Sequence, residues 1–228
     1  DENSNHTVLD EIKQECTVFG KTMYRECVLK ANFYDSCREI NSTFIGANVE
    51  KDRLVLNFKD EYYGFVYSIN YRIFADCDIV EKSITVKNES ENDIEFERLF
   101  SAEFTLPSKD EYIISNTNGA WGGEWIEANE KLSAGSIVFE SKRGISGHNN
   151  SPYFIAYQNA DEKSGDVYFG SLAYSTNFKV IANRDLYSNT RVILGMNDFD
   201  FSYVLKSGES FTTPCVYAGN TQGFGEMS

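Results

Sequence analysis

The chain has 228 residues, 41% of them hydrophobic and 25% charged; that is one large domain or two small ones, able to bury roughly 70% of its unfolded surface. This composition excludes disorder, and no run approaches the ~18 apolar residues of a spanning helix, so no membrane is expected. Thirty-five acidic against 21 basic residues leave a net charge of −14, a field that repels a phosphate backbone, so nucleic acid is not an expected partner, whereas a neutral sugar is compatible.

The first fifteen residues are polar and acidic. They predict a short helix from Thr7 or a frayed arm, and we place an arm at 1–16 and a β domain at 17–228. From Thr17 onward the pattern has period two. Leu54, Leu56 and Phe58 share one face, as do Phe65, Tyr67, Ile69, Tyr71 and Ile73. Ile94, Phe96 and Phe100 repeat the pattern with Arg98 interrupting, and Phe199, Phe201, Tyr203 and Leu205 repeat it again. Such alternation marks strands with one face on a core. Polar turns punctuate the runs at Lys59-Asp60-Glu61, residues 88–93, Pro107-Ser108-Lys109-Asp110, Lys163-Ser164-Gly165-Asp166 and Lys206-Ser207-Gly208-Glu209. Roughly fifteen strands follow, with no convincing amphipathic helix, and that many antiparallel strands split into two packed sheets. The expected fold is all-β, a large two-sheet antiparallel sandwich with little helix.

Motifs for catalysis are scarce. There is no Gly-x-Ser-x-Gly elbow, P-loop or His-Glu-x-x-His. The five cysteines (Cys16, Cys27, Cys37, Cys77, Cys215) contain no Cys-x-x-Cys pair, so metal ribbons and thioredoxin chemistry fail on spacing. Reduced, mostly buried thiols in a cytoplasmic protein are expected, without metal or cofactor. His6 and His148 are the two histidines, and only His148 is placed to act as a base. The Asn-x-Ser/Thr triplets at Asn5, Asn41, Asn88 and Asn149 read as chance in an Asn- and Ser-rich chain. Asp76 and Asp78 flank Cys77 at strand spacing, which an acid/base pair or, more simply, a solvated turn explains. Residues 119–125, GAWGGEW, hold both tryptophans; Trp121 and Trp125 suit sugar stacking or an interface. His148, Asn149 and Asn150 set several hydrogen-bonding groups in one polar loop, which a self-satisfied turn also explains.

An ordered series of segments then resembles the N-terminal domain of glycoside hydrolase family 36 α-galactosidases. It comprises YREC (24–27), FADCDIVEKSITVKN (74–88), LPSKDEYIISNTNGAWGGEW (106–125) and SKRGISGHNNSPYFIA (141–156). GDVYFGSLAYSTNF (165–178), TRVILGMNDFDFSYVLKSGESFTTP (190–214) and QGFGEMS (222–228) continue it. The resemblance implies a galactose mutarotase-like β-supersandwich that precedes a catalytic (β/α)8 barrel absent from this chain. It implies a parent that removes terminal α-linked galactose from oligosaccharides of the melibiose and raffinose type by a retaining mechanism with two Asp residues. Both lie in the family's barrel, so no residue here inherits a catalytic role and this chain alone is expected to be inactive. The implied tasks are packing on the barrel, rimming the sugar pocket and building a homo-oligomer. Tyr24, Arg25 and Glu26 fall at a family turn that reaches a neighbouring pocket, and Trp121 falls at a position implying an interdomain contact. Trp125, His148, Asn149 and Asn150 complete the expected rim. The chain departs from the family at Gly122-Gly123-Glu124, where Ala-Arg-Glu is usual, and at Gly147 before His148. A family hairpin between Tyr34 and Ser42 is shortened or absent. The rival readings are a free-standing carbohydrate-binding module, with Trp121 and Trp125 stacking on pyranose faces, and a mutarotase-like enzyme using His148.

Overall fold

The computed structural model describes residues 15–20 and 26–225. The arm expected at 1–16 therefore falls, up to residue 14, outside the described residues, as do Tyr24 and Arg25. Sixteen strands and no helix make up the described elements. In the first half these are β1 (Leu29–Asn32), β2 (Ser42–Val49), β3 (Arg53–Asp60), β4 (Phe65–Phe74), β5 (Ile79–Asn88), β6 (Ile94–Thr105), β7 (Tyr112–Ala120) and β8 (Gly123–Leu132). The second half adds β9 (Gly135–Glu140), β10 (Tyr153–Tyr157), β11 (Asp166–Leu172), β12 (Phe178–Arg184), β13 (Thr190–Met196), β14 (Tyr203–Leu205), β15 (Ser210–Thr212) and β16 (Val216–Gln222).

They form two antiparallel sheets. A ten-stranded sheet runs β2-β3-β4-β5-β16-β11-β10-β7-β8, with β15 beside β5. A six-stranded sheet runs β1-β6-β13-β12-β9, with β14 beside β6. The expected two-sheet all-β architecture is what the chain adopts. Its logic follows the alternation: Phe65, Tyr67 and Ile69 on β4 are buried, with Val66 and Ser68 between them only partly so. Strand β13 is buried at every position, which is what a continuous apolar run such as VILGM demands of a strand covered on both faces.

Two apolar clusters hold the layers together. One joins Phe65, Ile69, Ile84 and Val86 of the larger sheet to Leu29, Ile94, Phe96 and Phe100 of the smaller. The other joins Tyr112, Ile114, Phe154 and Val216 to Ala102, Phe178, Val192 and Leu194. At Gly195 the register of β13 on β6 slips by a bulge, and an added Cβ would stand 2.4 Å from the Phe100 Cα. Only glycine lets the two backbones approach that closely.

Two expectations change. The alternation from Phe199 to Leu205 forms a strand only over its last three residues. Asp200 takes a positive φ of 51°, and the Phe199 N–H donates to the Asn197 side chain at 2.9 Å, so a local turn replaces the ladder and leaves Phe199 exposed. All five cysteines are free thiols. Only Cys16 and Cys27 are buried, however, and Cys77 is exposed. It sits with Asp76 and Asp78 in the turn joining β4 to β5, the solvated-turn reading of that motif.

A buried polar knot ties the chain's early residues to both sheets. Arg191 on β13 and Glu103 on β6 are each 2% exposed and pair at 2.6 Å. Glu103 also accepts from the Thr17 N–H at 2.7 Å and from its hydroxyl at 2.9 Å. Lys82 on β5, fully buried, donates to the Glu103 carbonyl at 2.8 Å and to the Glu15 carboxylate at 3.0 Å. The Tyr71 hydroxyl donates to that same carboxylate. Burial alone would raise the Glu15 carboxyl, but Lys82 and the Tyr71 hydroxyl hold it below its ordinary value.

Candidate functional site

The site expected from the sequence is built on the β7–β8 hairpin at one edge of the ten-stranded sheet. Ala120 pairs with Gly123, leaving Trp121 and Gly122 as a two-residue turn. Gly122 takes φ 81°, the left-handed conformation that such tight turns require. Beyond the turn the register slips between Asn118 and Ala120. A Cβ on Gly119 would lie 2.7 Å from the Gly123 carbonyl oxygen and 2.8 Å from the Glu124 Cα, so the sequence spacing of glycines around Trp121 has a steric cause. Trp125 itself sits at φ 61°, a left-handed conformation that costs a bulky side chain about 1–2 kcal/mol. Trp121 is 88% and Trp125 71% exposed. Wide exposure thus coincides with a strained backbone at Trp125.

The 141–152 loop is stitched to this hairpin. Asn118 and Asn150 form an isolated antiparallel bridge. Behind it, Asn116 donates to the Ser151 carbonyl at 2.9 Å and its side-chain oxygen accepts from the Ser151 N–H at 3.2 Å. The Thr117 hydroxyl donates to the Ser151 hydroxyl at 3.0 Å. The fold thereby gathers Trp121, Trp125, Asn149, Asn150 and half-buried His148 at one end of the sheet.

Glu26 does not join them. Its carboxylate accepts from Arg98 Nη1 at 2.5 Å, and its carbonyl accepts from Arg191 at 3.4 Å. Arg98, which interrupts the β6 pattern, is thus half of an ion-pair chain: it also holds Asp198, which Lys179 reaches at 2.7 Å. Burial pushes the Asp198 carboxyl up, but Lys179 and Arg98 outweigh it, and the group lies below its ordinary value of 3.8. Its contribution to stability is therefore present in full above pH 3.8 and lost as pH falls through the lower folded value. Denaturant melts across that acid range should show a weaker pH dependence in Asp198→Asn than in the parent chain; identical slopes would contradict the ion-pair assignment.

Elsewhere, an open groove of about 340 Å³ is lined by Pro107, Ser108, Tyr112, Gln158, Asp166 and Tyr168. Gln158 donates to the Ser108 hydroxyl at 3.2 Å, and the Ser108 N–H donates to the Tyr112 hydroxyl at 3.1 Å. Asp166 is the one carboxylate in its lining, whereas glycoside hydrolysis takes a facing pair. Among the described residues no group of three or more His, Cys, Asp and Glu side chains could hold a metal ion. Sequence reasoning missed the Glu103–Arg191–Lys82 knot. The available signal was Arg191, the one charge in the otherwise apolar β13; Lys82 and Glu103 lie on strands that carry other charges and did not stand out.

Comparison with known proteins places this geometry. The description "Glycosyl hydrolase family 36 N-terminal domain" matches residues 1–206. The α-galactosidase AgaA of Geobacillus stearothermophilus is 33% identical over 190 residues, 82% of this chain and 26% of that protein. The α-galactosidase Mel36A of Lactobacillus acidophilus is 30% identical over 181 residues, 78% of this chain and 25% of its own length. A crystal structure of a substituted AgaA in complex with raffinose superposes with a TM-score of 0.93 at 26% identity, covering all of this chain and 34% of that one. The chain thus spans about a quarter of the length of the curated relatives it matches. With sixteen strands among its described residues, arranged in two antiparallel sheets, and a family match over residues 1–206, the chain belongs to the glycosyl hydrolase family 36 N-terminal domain family.

Proposed function

We propose that this chain is the non-catalytic β-domain of a retaining α-galactosidase that acts on terminal α-linked galactose in oligosaccharides. In this reading it packs against a (β/α)8 barrel that carries the two catalytic carboxylates, and it helps form a homo-oligomer. The observation that supports it is the superposition of the whole chain on one third of a relative that holds raffinose. The strained, exposed Trp121–Trp125 hairpin offers aromatic surface for the barrel and the pocket rim. Cytoplasmic residence accords with five free thiols.

The reading predicts that the 228-residue chain alone binds galactose, melibiose and raffinose no tighter than tens of millimolar in isothermal titration, because a rim without its pocket buries little of a sugar. Binding at ~1 mM or tighter that disappears in Trp125→Ala would instead make the chain a self-sufficient carbohydrate-binding module.

A further inference from the structure

The two ends of the ten-stranded sheet are built differently. Strand β8 closes one end and carries Glu124, Glu127, Glu130 and Lys131 along its ten residues. Charges on an edge strand oppose pairing with another chain. Strand β2 closes the other end, and its sequence STFIGANV holds no charged residue and no proline. Phe44 is 57%, Ile45 56% and Val49 77% exposed. Exposed Tyr62 follows the Asp60 turn, whose carboxylate accepts the Asn41 N–H just before β2. Exposed Tyr34 packs edge-on against Tyr63 in the same place. Apolar bodies and aromatic rings therefore surround a strand whose far side meets no further strand among the described residues.

We propose that β2 is the edge on which a second copy of this chain docks, adding its own β2 antiparallel across a two-fold axis. An antiparallel pair of identical strands is self-complementary, which is the condition a two-fold interface imposes. The electrostatics select the same place. Two copies each carrying −14 repel one another over most of their surface, and the neutral stretch 43–49 of β2 is where they approach without placing like charges side by side. Backbone pairing supplies the hydrogen bonds, and Phe44, Ile45 and Val49 supply the apolar centre. The Ile45 bulge, where the β2–β3 register slips, sits mid-strand and sets the local twist to which the second copy conforms. This deepens the homo-oligomer reading and is independent of the activity assigned to the parent.

The test is sedimentation equilibrium of the 228-residue chain over a concentration series. The expected result is a species of about twice the 25.9 kDa monomer, with the dissociation constant raised at least tenfold by Ile45→Lys/Val49→Lys and unmoved by Ile126→Lys on β8. Hydrogen exchange on the unsubstituted chain should show residues 43–49 protected on concentration and released on dilution. A chain that stays monomeric to ~100 µM overturns the proposal together with the oligomer reading. A dimer that survives the β2 substitutions, or whose concentration-dependent protection lies elsewhere, overturns the β2 edge alone.

Discussion

Arg191→Met is expected to lower the unfolding free energy by about 3–5 kcal/mol, because it strands a charged carboxylate where water cannot reach it. Glu103 is 2% exposed, and Arg191 is the side-chain cation that contacts its carboxylate directly, at 2.6 Å. For a domain of this size such a loss lowers Tm by ~6–20 °C, easily read in a calorimetric melt. Glu103→Leu/Arg191→Met should recover part of the loss, since no buried charge is then left unpaired. Recovery stays incomplete because the Thr17 N–H and hydroxyl lose their acceptor. A single variant costing under about 1 kcal/mol would mean that the pair behaves as an exposed one. The knot fixes Glu15, Thr17 and the Glu26 carbonyl against β5, β6 and β13.

Phe65→Ala is the second large effect, expected at about 3–5 kcal/mol from lost transfer energy and the cavity left behind. The ring is fully buried and has Phe96 at 5.5 Å, Tyr67 at 5.8 Å and Phe33 at 6.3 Å between ring centres. Urea unfolding should show a lower midpoint with the slope unchanged. Trp121→Ala is the matching contrast. At 88% exposure it should leave stability within about 0.5 kcal/mol while weakening whatever the hairpin contacts. A Trp121→Ala variant as unstable as Phe65→Ala would show that the hairpin serves the fold rather than an interface.

The sheet architecture was legible because alternation is a local property. β3 and β4 formed as read from residues 54–58 and 65–73: Leu56, Phe58, Phe65, Tyr67, Ile69 and Tyr71 face the core or its margin, whereas Ile73, at the end of the same alternation, is 55% exposed. The same rule failed at Phe199 and Phe201, since alternation cannot report that Asp200 would adopt a left-handed conformation and that Asn197 would offer a competing acceptor. The glycines of GAWGGEW correctly marked an unusual backbone. That Trp125 carries a positive φ as well as Gly122 was not visible, because the strain arises from the register slip opposite Gly119. Glu26 was read with Tyr24 and Arg25 as part of one turn, yet its carboxylate binds Arg98, 72 residues away. Such a contact depends on which strands meet, and no spacing along the chain encodes it. For the same reason Lys82, Glu103 and Arg191 looked like three unrelated charges.

In the proposed function this domain supports α-galactoside hydrolysis without performing it. A chromogenic α-galactoside assay, run on the 228-residue chain alone and on the polypeptide that its full coding sequence specifies, tests it most directly. The account predicts no turnover by the chain and turnover by the full polypeptide, abolished when a barrel Asp is replaced by Asn. Hydrolysis by the purified chain itself, or a full polypeptide with no activity on any α-galactoside, would contradict it.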